Sequence, residues 1–524
     1  MKYHLRFLFL IAGSLALARA ADQPAASTPP RPNILFIAVD DLRPELGCYG
    51  KDYIKSPNID RLAKAGLVFN RAYCQQAVCA PTRASLMTGT RPDTTKVWDL
   101  VTHFRAALPD VVTLGQHFQH NGYFVQGMGK IYHGSLPDAP TWSVPWVMGT
   151  KDTYALPENL QYNKGQSGVD PDDEVKAVKP KGFGRKAATP DGEKRIKKPT
   201  PPGSRGPAYE GADVPDNTFQ DGSVAELAIS TLQEISKKKE PFFLAVGFIK
   251  PHLPFVSPKK YWDLYDESKL ELAPNKFYPV DAPDYAIRKW GNEVRNYKDI
   301  PATGSFADDL ARKLRHGYFA GVSYTDAQVG KLLDELDRLG LTKNTIVILW
   351  GDHGWKLGEH DAWAKHSNCE NDTNAPLILS VPGMKNAGAH TDALVEFVDV
   401  YPTLSELAGL PLPAHLEGLS FKPLLDTPDR PWKTAAFSQY PRPKTASGDL
   451  MGYSMRTDRY RFTVWVAEKD HAKIDAIELY DHATDPQENY NIAKQPAHAA
   501  LVEQLMKQWR GGWQEAQPVG LQKP

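Results

Sequence analysis

The chain has 524 residues, more than one hydrophobic core usually organises, so several domains or a large domain with an appendage are expected. Hydrophobic residues make up 41% of it and charged residues 24%, as in ordinary soluble globular proteins. Basic and acidic residues balance at 62 each, which argues against a global binder of nucleic acid or membrane surfaces and leaves any anionic substrate to local charge.

Lys2, His4 and Arg6 precede an apolar run over 7–18, and Ala18-Arg19-Ala20 has the A-x-A form of a cleavage site. Residues 1–20 therefore read as a signal peptide, with an anchor helix as the alternative. No Cys sits near the cleavage site, so a lipoprotein is not expected, and no later stretch is apolar enough to span a bilayer. The mature chain is expected to be exported without a membrane anchor, to a periplasm or the medium.

Asn33 to Val39 (NILFIAV), Phe242 to Phe248 (FFLAVGF), Thr345 to Trp350 (TIVILW) and, less clearly, Pro376 to Val381 are short continuous apolar runs. Such runs fit strands buried on both faces of a parallel sheet. Helices are predicted over Asn58 to Ala65, Ser223 to Lys237 and Tyr324 to Leu339 from apolar spacing and flanking Pro or Gly. Alternating strands and helices predict an α/β fold with a large, mostly parallel central sheet. Residues 138–221, rich in Pro, Gly and Lys, read either as an irregular excursion near the site mouth or as a disordered loop. A Pro-rich break at 426–433 separates a catalytic domain (31–425) from a smaller α+β C-terminal subdomain (433–524). There, Tyr453 to Val466 alternates as antiparallel strands do, and a helix is expected from Pro496 to Gln514.

The chemistry concentrates at the ends of the predicted strands. Asp40 and Asp41 follow one strand, and Asp352 and His353 follow another. Ligands bind at such carboxyl ends in α/β sheets. Gathered carboxylates repel unless a cation joins them, and oxygen ligands suit Ca²⁺ or Mg²⁺. Either pair alone would more simply cap a helix; two such pairs favour a metal site. The remaining signal is Cys79-Ala80-Pro81-Thr82-Arg83. A helix starting at the Pro would turn Arg83 back toward position 79 and offer free N–H groups to an anion. Of the four cysteines (Cys48, Cys74, Cys79 and Cys369), a Cys74–Cys369 bridge is possible if Cys79 is chemically converted.

C-x-P-x-R followed by S-L-x-T-G-x-R (79–91) resembles the signature of the type I sulfatases, in the alkaline-phosphatase superfamily. The resemblance extends through PNILFIAVDDLRPELGCYG (32–50), SPNIDRLAKAG (56–66), GKIYH (129–133), KPHLPF (250–255), GDHGWKLGEH (351–360) and WAKHSN (363–368). DDLRP, QQAVCAP and SMRTDRYRFTVWV are most similar to the iduronate 2-sulfatase branch.

The resemblance implies an α/β/α sandwich and a Cys79 oxidised to formylglycine by a maturation enzyme. It implies one Ca²⁺ held by Asp40, Asp41, residue 79, Asp352 and His353. Arg83 and Lys130 would hold the aldehyde hydrate, and His133, His252 and Lys365 would surround the sulfate. Covalent transfer to one hydroxyl of such a hydrate, followed by collapse of the other to expel sulfate, divides one hard step into two easier ones. His252 is the implied general acid for the leaving sugar oxygen and His133 a base or orienting partner, while Arg83, Lys130 and Lys365 offset sulfuryl charge.

The implied substrate is a sulfated oligosaccharide or polysaccharide. The leading expectation is removal of the 2-O-sulfate from a terminal, iduronic-type uronic acid. The alternatives are another sulfated polysaccharide, a phosphonate or phosphodiester, or non-catalytic binding of sulfated glycans. Arg105 and His103 are predicted to read the uronate carboxylate. Trp355 and Trp363 could stack on a sugar face or pack in the core, and Glu359 and His360 could bond hydroxyls. On this expectation Arg105→Ala raises the Michaelis constant for a uronate substrate; unchanged constants would remove Arg105 from recognition.

Overall fold

The computed structural model describes residues 31–134, 136–150, 152–163, 203–288 and 293–521. The predicted signal peptide and much of the 138–221 excursion lie outside the described residues. Among those described, no helix is long and apolar enough to cross a membrane.

Asn33–Val39 runs through the middle of a seven-stranded sheet, parallel to Phe242–Phe248 on one side and Thr345–Gly351 on the other. Phe124–Gly129 adds in parallel beyond Phe242–Phe248. On the far side Leu377–Ser380 runs antiparallel to both Thr345–Gly351 and Leu67–Phe69, and His390–Thr391 closes the edge. Successive side chains of the central strand enter different cores. Ile34, Phe36 and Ala38 pack on one face, and Leu35, Ile37 and Val39 on the other. Both faces are covered by helices, so both sets of side chains leave water, and the strand reads as an unbroken apolar run. The helices Pro57–Ala65, Gln220–Ile235 and Asp308–Arg338 cover one face, and Cys79–Thr88, Leu114–His120 and Val400–Leu407 the other.

Two expectations need correction. The helix predicted from Tyr324 begins sixteen residues earlier, at Asp308. Its stretch from Leu314 to Asp326 is buried all round, which erases the polar–apolar contrast that marks a surface helix. Gly317 lies there because a Cβ would meet Phe255 Cβ and the Trp262 ring at 2.8 Å. The irregular excursion also ends in order: Tyr209–Ala212 is a strand parallel to Phe255–Pro258. A four-residue strand flanked by Pro and Gly carries too few alternations to be read from sequence.

The C-terminal sheet is a meander of four antiparallel strands, Ala436–Thr445, Gly448–Arg456, Tyr460–Ala467 and Asp470–Asp481. The helix Ala499–Glu515 packs Leu505 and Met506 against Met451, Met455, Phe462 and Val464. All four cysteines are free thiols, so Cys74 and Cys369 are not bridged.

Arg461 locks this sheet to the larger core. Its guanidinium pairs with Glu488 and with Glu370, at the start of the short helix Glu370–Thr373, and donates to Thr373 Oγ1 at 3.1 Å. Arg461 and Glu488 are almost fully buried. Arg461→Leu is therefore expected to destabilise the protein by about 3–5 kcal/mol in denaturant unfolding, because it strands buried carboxylates.

Candidate functional site

The carboxyl ends of four adjacent parallel strands converge on one point. Ladder hydrogen bonds continue one rung past the strands: Asp40 N–H to the Phe248 carbonyl (3.1 Å), Asp352 N–H to the Val39 carbonyl (3.1 Å) and Lys130 N–H to the Gly247 carbonyl (2.9 Å). These bonds fix Asp40, Asp352 and Lys130 by backbone geometry rather than by a flexible loop. Gly129 permits the last contact; its φ is +67° and a Cβ would sit 2.0 Å from the Gly247 oxygen. Asp41 adopts a left-handed backbone (φ 55°), a conformation costing about 1–2 kcal/mol for an L-residue. None of these acidic residues caps a helix. Instead Asp352 Oδ1 accepts from the backbone N–H of Asp41 (3.1 Å) and of His353 (3.0 Å).

Cys79 is the first residue of its helix, Cys79–Thr88, so that helix starts two residues before Pro81. Its Sγ lies 3.2 Å from Asp40 Oδ1, 3.3 Å from His353 Nε2 and 3.7 Å from Lys130 Nζ. Arg83, one turn later and fully buried, ties this helix to the strand ends. Nε donates to Asp352 Oδ2 (2.9 Å), one terminal nitrogen to the Lys130 and Ile131 carbonyls, and the other to Asp40 Oδ1 (3.3 Å). Four of its five N–H groups are thus committed to protein acceptors.

Lys130 pairs with Asp40, and Lys365 with Asp41 (3.1 Å) and Glu293 (2.9 Å). His252 Nε2 lies 3.3 Å from Glu293 and 3.9 Å from Asp41. His133 is buried, and neither ring nitrogen has a partner among the described residues.

Charge is balanced narrowly. Asp40, Asp41, Asp352 and Glu293 face Arg83, Lys130 and Lys365. Burial raises the carboxyls of Asp41 and Asp352 above the usual range, reinforced by the neighbouring Asp40. Asp40 goes the other way: despite burial, the charges of Lys130 and Arg83 hold it well below. Burial also brings His133 and His252 down to about 3 and pushes the Cys79 thiol up, aided by Asp40.

This donor set fits a hard divalent cation. Asp40, Asp41, Cys79 and His353 each present an atom within 4.8 Å of the others, and Asp352 Oδ1 lies 3.6 Å from His353 Nε2. His353 Nδ1 sits 3.0 Å from the Gly354 carbonyl, which can only accept, so Nδ1 carries the hydrogen and Nε2 keeps its lone pair toward the acids. Adding two positive charges leaves the site net positive, as an anionic ester requires.

The predicted substrate residues fare differently. Arg105 spends its guanidinium on Asp138, Gln116 and the carbonyls of Pro109 and Val111, so no N–H remains for a uronate carboxylate. Trp355 is fully buried and lies against Phe255, with Lys365 Nζ 5.0 Å from its ring centre, and Trp363 packs on Phe306. Both are core residues and offer no face to a sugar. Glu359 accepts from Arg43 Nη1 (2.9 Å) and the Leu357 N–H (2.6 Å), and His360 is buried at φ 57°. His103 is partly exposed, as Arg105 is; its Nδ1 accepts from the Arg105 N–H, and its Nε2 lies 3.3 Å from the Pro137 carbonyl.

Sequence reasoning missed Glu293 and Asp221. Asp221 accepts from the N–H groups of Ile249 (2.8 Å) and Lys250 (2.7 Å), bracing the segment that carries His252. Neither belongs to a motif, and each reaches the site from a distant part of the chain, so no local signal marks them.

A family model described as Sulfatase matches residues 32–410, and one described as N-sulphoglucosamine sulphohydrolase, C-terminal, matches 358–513. The chain is 36% identical to iduronate 2-sulfatase of Mus musculus, over 95% of this chain and 97% of the relative. It is 35% identical to iduronate 2-sulfatase of Homo sapiens, over 96% and 98%. The solved phosphonate monoester hydrolase from Silicibacter pomeroyi superposes with a TM-score of 0.69 at 22% identity, over 94% of this chain and 97% of that one.

A divalent cation added to chelator-treated protein is expected to raise its thermal midpoint, by about 2.7 kcal/mol of stabilisation at a hundredfold excess over Kd. Protons compete for Asp41 and Asp352, whose carboxyls are raised, so the shift shrinks as pH falls. Scanning calorimetry of the native chain and of Asp352→Ala, which should lose the shift, checks this.

Proposed function

Because the chain belongs to the sulfatase family and is a sulfuric ester hydrolase, we propose that it removes the 2-O-sulfate from a terminal, iduronic-type uronic acid of a sulfated glycan. The observation that carries the reading is Cys79, buried on the first turn of its helix among Asp40, His353 and Lys130. Burial disfavours its thiolate, so an unmodified Cys79 would be a poor nucleophile. Conversion to formylglycine by a maturation enzyme removes that obstacle. Asp40, Asp41, Asp352 and His353 would hold Ca²⁺ beside residue 79. When bound, the formylglycine hydrate supplies the attacking hydroxyl and Ca²⁺ polarises the sulfate oxygens.

The chain's own residues do the rest. Arg83 orients the nucleophile's helix and neutralises Asp40 and Asp352. Lys130 and Lys365 face the sulfate oxygens and stabilise the charge that develops there. His252 Nδ1 sits 2.6 Å from the Leu253 carbonyl, which can only accept, so Nε2 is the nitrogen that gains and loses the catalytic proton. Burial keeps this imidazole neutral in the resting site. Glu293 and an incoming anionic ester both favour the imidazolium, which then protonates the departing sugar oxygen. His133, without a partner among the described residues, is available to hold or accept the hydrate's second proton. Residues 1–20, read as a signal peptide, would direct this activity outside the cytoplasm.

The identity to iduronate 2-sulfatases over nearly the full chain favours the uronate. Phosphonate hydrolysis is the second reading, favoured by the shared fold of the phosphonate monoester hydrolase. The deciding experiment is sulfate release from an iduronate-terminated 2-O-sulfated disaccharide, beside turnover of an aryl phosphonate monoester. Release abolished by Cys79→Ala and by chelator is expected. Faster phosphonate turnover would overturn the reading. His252→Ala is expected to slow the disaccharide by about 10²–10⁴ and an activated aryl sulfate far less, because only the sugar alkoxide needs a proton.

A further inference from the structure

Between the catalytic core and the C-terminal sheet lies an open cavity of about 290 Å³, near the lower end of small-molecule sites. None of its lining residues belongs to the cluster around Cys79. Phe437, Tyr453, Trp509 and Trp513 line it, each partly exposed, and His471 stands exposed at its rim, 5.3 Å from the Tyr453 ring. The terminal helix is broken at Gly512, whose φ of +67° suits glycine, and the next residue, Trp513, lies 4.9 Å from the Arg91 guanidinium.

The polar groups here are fixed acceptors. Asp93 is oriented by Gln439 Nε2 and by the Tyr453 hydroxyl, both at 2.9 Å. Glu417 is held by the Arg91 N–H (2.6 Å) and the Thr94 hydroxyl (2.5 Å). A carboxylate has about four acceptor positions, so each keeps capacity for a ligand hydroxyl. Gln75 is 1% exposed and lines the cavity, yet its Oε1 has no partner among the described residues, an arrangement that costs free energy unless a donor reaches it.

An anion does not suit this site. Arg91, the one basic side chain among the lining groups besides His471, gives both terminal nitrogens to buried Glu396 at 2.8 and 2.9 Å, and its Nε, without a partner among the described residues, is a single donor that a hydroxyl oxygen also satisfies. What fits is an uncharged ligand with a flat apolar face for the aromatic rings and several hydroxyls for Asp93, Glu417 and Gln75. Those are the properties of an unsulfated pyranose.

We propose that this cavity is a second saccharide site, which takes an unsulfated sugar ring of the glycan whose ester the chain hydrolyses. The proposal rests on the glycan reading above, but its test needs no turnover. The full chain is titrated calorimetrically with unsulfated tetrasaccharides containing hexose and N-acetylhexosamine, and aryl sulfate hydrolysis, measured in parallel, reports on the reaction independently. Saturable binding is expected, kept by Cys79→Ala and unaffected by inorganic sulfate. Trp513→Ala should weaken it at least about tenfold, or 1.4 kcal/mol, and His471→Ala should weaken it while leaving aryl sulfate turnover unchanged. Should Trp513→Ala fail to fold, Tyr453→Phe, which frees Asp93 from one of its anchors, replaces it. No binding by the native chain, binding unchanged in these variants, or binding displaced by inorganic sulfate would each overturn the proposal.

Discussion

Buried negative charge at the ends of the central strands is the constraint on which the rest of the site depends. Asp40, Asp41 and Asp352 are all but fully buried and within a few ångströms of one another. Left alone, they would protonate or force the strands apart. Arg83 prevents part of this by bridging Asp40 and Asp352 while two further N–H groups hold the Lys130 and Ile131 carbonyls. The same guanidinium fixes the helix whose first residue is Cys79. One side chain thus sets both the charge balance and the position of the proposed reacting residue, Cys79. The balance stays short of neutral when Glu293 is included, which leaves a place for a divalent cation and makes cation and anionic substrate mutually supportive.

A second layer keeps the acid–base groups in register. Asp221 holds the backbone ahead of His252, and Lys250 turns its ammonium onto the His252 and Pro254 carbonyls. Glu293 links His252 to Lys365, and Lys365 in turn reaches Asp41. The imidazole is therefore coupled to the proposed metal-binding acids through one carboxylate and one lysine. The C-terminal sheet joins this arrangement through Arg442, whose guanidinium donates to the His366 carbonyl next to Lys365, and through Arg461 at the Glu370 helix. The appended sheet consequently buttresses the site from outside.

The central strands were legible because burial on both faces leaves an apolar run with no period to misread. The proposed metal and nucleophile positions were legible as a cluster because they lie within two residues of a strand end or on one helical turn, where spacing along the chain is spacing in space. Asp40, Asp41, Cys79, Arg83, Asp352 and His353 are all of this kind. Local chemistry determined them, together with the family they mark.

Tertiary structure alone decided what remained. Arg105 had the charge and place of a carboxylate reader, but Asp138, thirty-three residues away, claims its guanidinium. Trp355 and Trp363 flank the metal motif in sequence, yet face the core beneath it. Glu293 and Asp221 enter the site from segments with no motif, and the cavity floored by Gln75 and Arg91 exists only because the terminal helix brings Trp509 and Trp513 back across the chain. A sequence states which groups a chain carries and which lie within a turn of one another. Whether a charged or aromatic side chain meets solvent, substrate or a distant partner depends on long-range packing, and that is settled only when the chain closes on itself.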